Sequence, residues 1–225
     1  MSNAVLIIGN SGTGKSASIR TLPPEETFIL NVIDKPLPFK GWRKSYTLIS
    51  SATNPTGNYF SSDNHEMLKQ MINYVNTRRP EIKYLVIDDF GYTMANHFMR
   101  RALQKGYDKF SEIGFQAGEI IDLITKGLRK DLFCFVMMHV ETDKQGISKP
   151  KTVGNMIDQY ICIEGKFTYV LHTIVADGKY YFLVNNDGIH TAKTGIGTFD
   201  APAVENDLLM VANKIREATD EGIAA

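Results

Sequence analysis

The segment Gly9-Asn10-Ser11-Gly12-Thr13-Gly14-Lys15-Ser16, directly after the apolar run Val5-Leu6-Ile7-Ile8, constrains this chain more than any other feature. The apolar run reads as a buried strand, and Ser16 to Arg20 reads as the opening of a helix. The glycines let successive backbone N–H groups turn inward around an anion, and the spacing from Gly9 through Gly14 to Lys15-Ser16 is the Walker A pattern. In this reading Lys15 reaches the β- and γ-phosphates of ATP and Ser16 ligates Mg²⁺, while the positive end of the helix favours the phosphate charge. A chance glycine-rich turn would lack the strand before it and the helix after it.

The rest of the pattern alternates strand and helix. Thr27 to Ile33 is a strand by its β-branched and aromatic content, ending at Asp34 before the extended Pro36 and Pro38 segment. A short strand is expected around Tyr46 to Ile49. Ser50 to Asn64 reads as a surface loop, with Asp63 capping a helix from about His65 to Arg78. Lys83 to Asp89 is a strand ending in carboxylates, helical patterning follows at Met94 to Leu103 and Ile113 to Lys130, and Leu132 to His139 is a nearly wholly apolar strand. Glu141 to Val153 is polar and reads as a mobile loop. Beyond it Tyr160 to Glu164, Phe167 to Val175 and Tyr180 to Val184 are β-rich, with Asp177-Gly178 as a hairpin turn, and Ala203 to Ala218 is a final amphipathic helix. The expected fold is α/β: a mostly parallel central sheet flanked by helices, with a C-terminal β-meander, in one domain over residues 1–225.

Candidate site residues sit at strand ends. Tyr84-Leu85-Val86-Ile87-Asp88 is the Walker B candidate, an apolar strand delivering Asp88 to the Mg²⁺ shell. Asp89 has two readings, polarising the attacking water or capping the following helix. His139 closes the next strand, where a neutral imidazole can sense the γ-phosphate by hydrogen bonding; the alternative is a strand-end histidine satisfied by backbone. Glu141 and Asp34 are rival positions for handling water.

Composition limits the partners. In 225 residues, Lys plus Arg and Asp plus Glu both number 25, so no global positive field draws the protein to nucleic acid or membrane. Any such contact must be local. Cys134 and Cys162 lie in apolar runs without metal-ligand spacing and read as buried, reduced thiols. No apolar run suits a bilayer span and the start lacks signal-peptide features, so a cytoplasmic protein that makes no membrane contact is expected, in a compartment that supplies ATP.

With the phosphate loop, the Asp88 strand, the His139 strand and a late β-meander in this order, the chain resembles the RecA-like core ATPases. It is more closely similar to the small phage-encoded nucleotide-binding proteins related to them. The residues carrying the likeness are Leu6 to Ser16, Leu30-Asn31-Val32 with Lys35-Pro36-Leu37, Val86-Ile87-Asp88-Asp89, Met138-His139-Val140-Glu141 and Thr191-Ala192-Lys193. The resemblance implies an ATPase core acting in single-strand annealing during phage recombination in a bacterial host cell, working as a homo-oligomer.

In such cores the segments after the Walker B and sensor strands hold DNA. The matching places are Gly91 to Phe115, with Arg100, Arg101, Lys105 and Lys109, and Glu141 to Val153, with Lys144, Lys149 and Lys151, where local basic charge also concentrates. Tyr107 and Phe110 offer stacking faces, or else belong to the core. The resemblance also implies a lysine offered to a neighbouring subunit's γ-phosphate, for which Lys193 suits better than Lys166. One departure matters: where these enzymes carry a glutamate after the second strand, this chain has Asp34 followed by Lys35-Pro36-Leu37-Pro38. The catalytic base is therefore unassigned, and slow or assembly-dependent hydrolysis is expected. The competing function is a replication accessory ATPase that loads or remodels a protein partner, such as a helicase or single-strand-binding protein. A small-molecule kinase fits less well, because Arg78-Arg79 precedes the Asp88 strand on the side away from the phosphates.

Overall fold

The computed structural model describes residues 3–154, 158 and 161–220. Its centre is a mixed sheet in the order β3-β2-β4-β5-β1-β7-β8-β9, formed by β1 (Asn3–Gly9), β2 (Thr27–Asn31), β3 (Tyr59–Ser61), β4 (Tyr84–Asp88), β5 (Phe133–Thr142), β7 (Tyr169–Ala176), β8 (Lys179–Leu183) and β9 (Ala203–Glu205). The strands from β3 to β7 pair in parallel, and β8 and β9 continue antiparallel. β6 (Ser148–Pro150) pairs with β5 off this path. One strand, β5, separates the glycine-loop strand β1 from the Asp88 strand β4.

Alternation along the strands builds two cores. Leu6 and Ile8 of β1, Leu85 and Ile87 of β4, and Val136 and Met138 of β5 face one layer. That layer is α2 (His65–Arg78), α3 (Gly91–Arg100) and α4 (Asp108–Asp122), which bring Leu68, Ile72, Met94, Ile113 and Ile120. Val5, Ile7, Val86, Phe135 and Met137 point the other way, onto Ile19 and Leu22 and onto α5 (Leu208–Asp220) with Val211 and Ile215. Both faces are covered, which is why β1, β4 and β5 are apolar at nearly every position. Each of these side chains contributes about 1.5–3 kcal/mol by leaving water.

Several local expectations change. Ser16–Thr21 is a six-residue 3-10 turn rather than an α-helix, because Pro23 and Pro24 follow too closely for an i to i+4 ladder to grow. Within the expected loop 50–64, Tyr59–Ser61 is an edge strand beside β2. Leu48 makes only an isolated bridge to Tyr59, and α1 (Trp42–Ser45) precedes it. Asn64, not Asp63, caps α2, its side chain accepting from the Met67 N–H at 3.1 Å. The expected helix 113–130 ends in a π-turn at Leu123–Gly127. The 141–153 segment is no loose loop: β5 runs on to Thr142 and turns into β6, with the Asp143 carboxylate accepting from the Gln145 and Ile147 N–H groups. Of the expected strand 160–164, Tyr160 lies outside the described residues and Glu164 opens a 3-10 turn. Ala203 to Glu205 is a strand, so the last helix starts at Leu208. Cys134 is buried in β5, whereas Cys162 is exposed.

Candidate nucleotide-binding site

Parallel pairing places the ends of β1, β4 and β5 along one edge of the sheet, with Gly9 beside His139 and the loop from Asn10 to Lys15 above them. Two glycines there have steric reasons to be glycine. A Cβ on Gly9 would collide with the Thr173 hydroxyl of β7, and Gly14, at φ +102°, would carry its Cβ to 2.9 Å from the Tyr180 ring of β8. The loop is braced from the far end of the chain, where the Asn206 amide donates to the Gly14 carbonyl at 3.3 Å.

Lys15 is buried and donates from Nζ to the Gly9 and Asn10 carbonyls at 2.8 and 2.7 Å. Burial pulls its ammonium down to about 8, with Asp89 acting against the shift. Ser16 Oγ donates to Asp88 Oδ1 at 2.8 Å, joining the glycine loop to β4. Asp88 is fully buried, and burial together with the neighbouring Asp89 pushes its carboxyl up to about 6. Its other oxygen, Oδ2, is buried without a hydrogen-bond partner among the described residues. A hydroxyl beside a carboxylate with one bare, dry oxygen is a donor set that suits a hard divalent cation such as Mg²⁺, which binds through one or two protein oxygens and keeps waters and phosphate for the rest. The residues present therefore fit the implied pair of Mg²⁺ and ATP. Because the segment after Lys15 is so short a 3-10 turn, phosphate would be held by the loop N–H groups and Lys15 rather than by a long helix dipole.

Asp89 is also buried, in a left-handed conformation at φ +61°. Its carboxylate pairs with Lys35, and His139 Nε2 lies 3.3 Å from Oδ1. Burial alone would raise its pKa, but these two partners hold it below the usual carboxylate range. The capping reading of Asp89 is corrected: its side chain makes no cap bond to α3. His139 is partly exposed, edge-on to Tyr92 at 5.9 Å, and borders a cavity of about 260 Å³ together with Ser11, Gly14, Lys15, Ser16, Lys35, Pro36, Pro38 and Tyr180. Lys35 and Tyr180 escaped the sequence reading. Lys35 stood there within a segment carrying the family likeness and as a departure from the family's glutamate, but with no role of its own, and nothing local marks Tyr180, which reaches Gly14 across the β7–β8 hairpin.

Other expected site residues lie elsewhere. Glu141 is not at the cavity; it pairs with Lys149 at 3.3 Å across the β5–β6 hairpin. Asp34 accepts from the Tyr59 hydroxyl at 3.1 Å. The basic residues are largely occupied. Arg100 pairs with Asp63 at 2.7 Å, Arg101 with Glu112, and Lys149 with Asp158 at 2.7 Å. Lys109 is buried, donating to the Gln104 carbonyl at 2.7 Å and lying over the Phe98 and Phe110 rings, so it is a packing residue rather than a free phosphate contact. Phe110 belongs to that cluster, while Tyr107 is exposed. Lys105, Lys144 and Lys151 are exposed, as is Lys193, whose backbone bridges to Val170 away from the cavity lining.

No helix among the described residues is long and apolar enough to cross a membrane. A comparison with curated proteins finds no match. The family model described as AAA domain matches residues 2–116, just over half of the chain, and takes in the glycine loop, Lys35 and the Asp88-Asp89 pair. On that match, and with a phosphate loop joined to an acidic strand end as a P-loop NTPase requires, the chain belongs to the AAA domain family.

Proposed function

We propose that this chain binds Mg-ATP through the Gly9–Ser16 loop and Asp88, hydrolyses it slowly or only in an assembly, and uses the cycle to control binding of single-stranded DNA for annealing or strand exchange. The observation that carries the nucleotide half is the Ser16–Asp88 hydrogen bond at 2.8 Å beside an unpartnered, buried Asp88 oxygen. Mg²⁺, when bound, supplies charge neutralisation across the β- and γ-phosphates. Lys15 leaves its two carbonyl partners for phosphate oxygens. Ser16 and Asp88 hold the metal-facing edge, and the loop N–H groups fix the phosphate chain.

Asp89, Lys35 and His139 act as one unit at the γ-phosphate end. Asp89 kept ionised between two cationic or polar partners can orient a water, and His139 can report the presence of the γ-phosphate to β5 and the hairpin beyond it. Glu141, bound to Lys149, is dropped as the water-handling residue. Lys193, exposed, is offered to a neighbouring subunit in a homo-oligomer.

The DNA half rests on where free basic charge remains. Lys40, Arg43 and Lys44 are exposed and make no ion pair among the described residues. They stand beside Phe39 and Trp42 on a segment that meets the nucleotide cavity at Pro38. With Lys105, Lys144 and Lys151 they supply phosphate contacts, while Trp42, packed on Tyr59 with Arg43 over its ring, and Phe39, edge-on to Tyr46, anchor the segment to the core. The finer reading as a RecA-like phage annealing protein draws on the sequence resemblance, with which the strand order and the late antiparallel strands are compatible. A second reading, an accessory ATPase acting on a protein partner as helicase loader or remodeller, draws on the zero net charge and on the pairing of Arg100, Arg101 and Lys149. Single-stranded DNA binding measured against salt, with and without ATP, separates the two. A shift that weakens steeply with salt and responds to ATP supports the DNA reading; no shift at low salt sinks it and leaves the protein-partner reading.

A further inference from the structure

The first turn of α2 and the middle of α4 meet at a cluster that the nucleotide chemistry does not use. His65, the first residue of α2, is nine-tenths buried in its side chain, and Glu66 and Glu119 flank its ring: Glu66 Oε1 is 3.2 Å from Nδ1 and Glu119 Oε2 is 3.1 Å from Nε2. One ligand atom from each of the three residues falls within 4.8 Å of the other two. Despite those short separations, neither ring nitrogen makes a hydrogen bond among the described residues. The oxygens are close but lie off the N–H directions.

That combination is unfavourable for a bare imidazole. A neutral ring carries one N–H and one lone pair, so one of its two nitrogens turns a lone pair toward a carboxylate. Buried polar atoms left this way cost about 1–3 kcal/mol each. A cation bound to one nitrogen and shared with a carboxylate removes the conflict. Two ligand atoms roughly 2.1 Å from one ion at a tetrahedral angle sit roughly 3.4 Å apart, each off the other's bonding axis. The 3.1 Å separation of His65 Nε2 and Glu119 Oε2 has that character.

We propose that His65, Glu66 and Glu119 form a binding site for a divalent transition-metal ion, of which Zn²⁺ is the best chemical match. His65 Nε2 and Glu119 Oε2 are the first pair of ligands, and the largely exposed Glu66 side chain completes the set by swinging from the Nδ1 side to the ion, giving the one imidazole and two carboxylates that suit a borderline ion with a position left open. His65 and Glu66 line a cavity of about 290 Å³ together with Asp63, His97, Arg100 and Glu112. Lys69 holds the other oxygen of Glu119, Oε1, at 3.1 Å, and lies 3.7 Å from Glu66 Oε1. It therefore orients Glu119 Oε2 toward His65 and also competes, as a resident positive charge, with the metal. Binding would tie α2 to α4, next to the helix that continues from Asp88-Asp89.

The test uses the full chain, stripped with chelator and titrated with Zn²⁺ alone, without nucleotide and with excess Mg²⁺ to occupy Asp88. The expected result is one equivalent bound, a Tm that rises with Zn²⁺ concentration, and visible Co²⁺ absorption of the intensity given by four- or five-coordinate sites. His65→Gln and Glu119→Gln should each weaken Zn²⁺ binding at least tenfold while circular dichroism shows an intact fold, and Asp88→Asn should leave the stoichiometry unchanged. Lys69→Met should tighten Zn²⁺ binding, a gain that a salt-bridge cluster of purely structural role would not show. No stoichiometric binding, or binding that survives both His65→Gln and Glu119→Gln, overturns the proposal.

Discussion

Asp88 and Asp89 are adjacent, both buried, and yet set for opposite tasks. Burial and the neighbouring Asp89 push the Asp88 carboxyl up to about 6, so its charge is costly to keep, while Lys35 and His139 hold Asp89 below the usual carboxylate range. Asp88→Asn should therefore be tolerated by the fold, since the amide carbonyl still accepts from Ser16 and the cost of a buried charge is removed. Thermal unfolding is expected to stay within a few degrees of wild type or to rise, while ATPase activity falls about 100-fold or more. Lys35→Met removes a partner of the buried Asp89 carboxylate, and because Lys35 is partly exposed the expected loss is about 1–2 kcal/mol by denaturant unfolding, well below that of a fully buried pair. Lys15→Ala should abolish nucleotide binding without unfolding the chain; mixed with wild type, it should lower wild-type turnover per active site if hydrolysis is completed between subunits.

At the scale of elements, β7 is the support behind the phosphate loop. Thr173 sits against Gly9, and the preceding residue, His172, is buried and in edge contact with His190 at 4.6 Å. Burial, then His190, pulls the His172 imidazole down to about 4. A histidine whose folded pKa is depressed favours the fold fully above its unfolded value of about 6.5 and loses that contribution as pH falls toward 4, because only the unfolded chain gains the proton readily. Stability measured by denaturant melts should therefore decline between pH 6.5 and 4 by an amount on the order of 2 kcal/mol from this group, and His172→Gln should flatten that part of the profile. Gly9→Ala should disrupt the β1–β7 contact, costing about 2 kcal/mol or more and impairing nucleotide binding together.

For the whole molecule, what was legible followed from periodicity and from one glycine-rich spacing. β1, β4 and β5 announce themselves because strands covered on both faces must be apolar throughout, and the Lys15, Ser16 and Asp88 positions follow once those strands are parallel. The edge strand at Tyr59–Ser61 was hidden because three residues among Ser and Asn carry too little pattern. The β5–β6 hairpin was hidden because its stability comes from Asp143 and from pairing, not from apolar content. The basic residues misled for a related reason: Arg101, Lys109 and Lys149 find their partners through tertiary contact, which linear charge density does not reveal. The exposed Lys40, Arg43 and Lys44 are the better DNA candidates. Replacing all three with Ala should weaken single-stranded DNA binding and reduce its salt slope by up to about 3, roughly one per lost phosphate contact, without changing ATP binding.

The most direct test of the account is calorimetric titration of a non-hydrolysable ATP analogue into wild type, Ser16→Ala and Asp88→Asn, each with and without Mg²⁺. Wild-type binding that tightens strongly with Mg²⁺, and loss of that dependence in both folded variants, is the predicted result. No binding to wild type, or an unchanged Mg²⁺ dependence in Asp88→Asn, would contradict the assignment of Ser16 and Asp88 as the metal-facing edge of a nucleotide site.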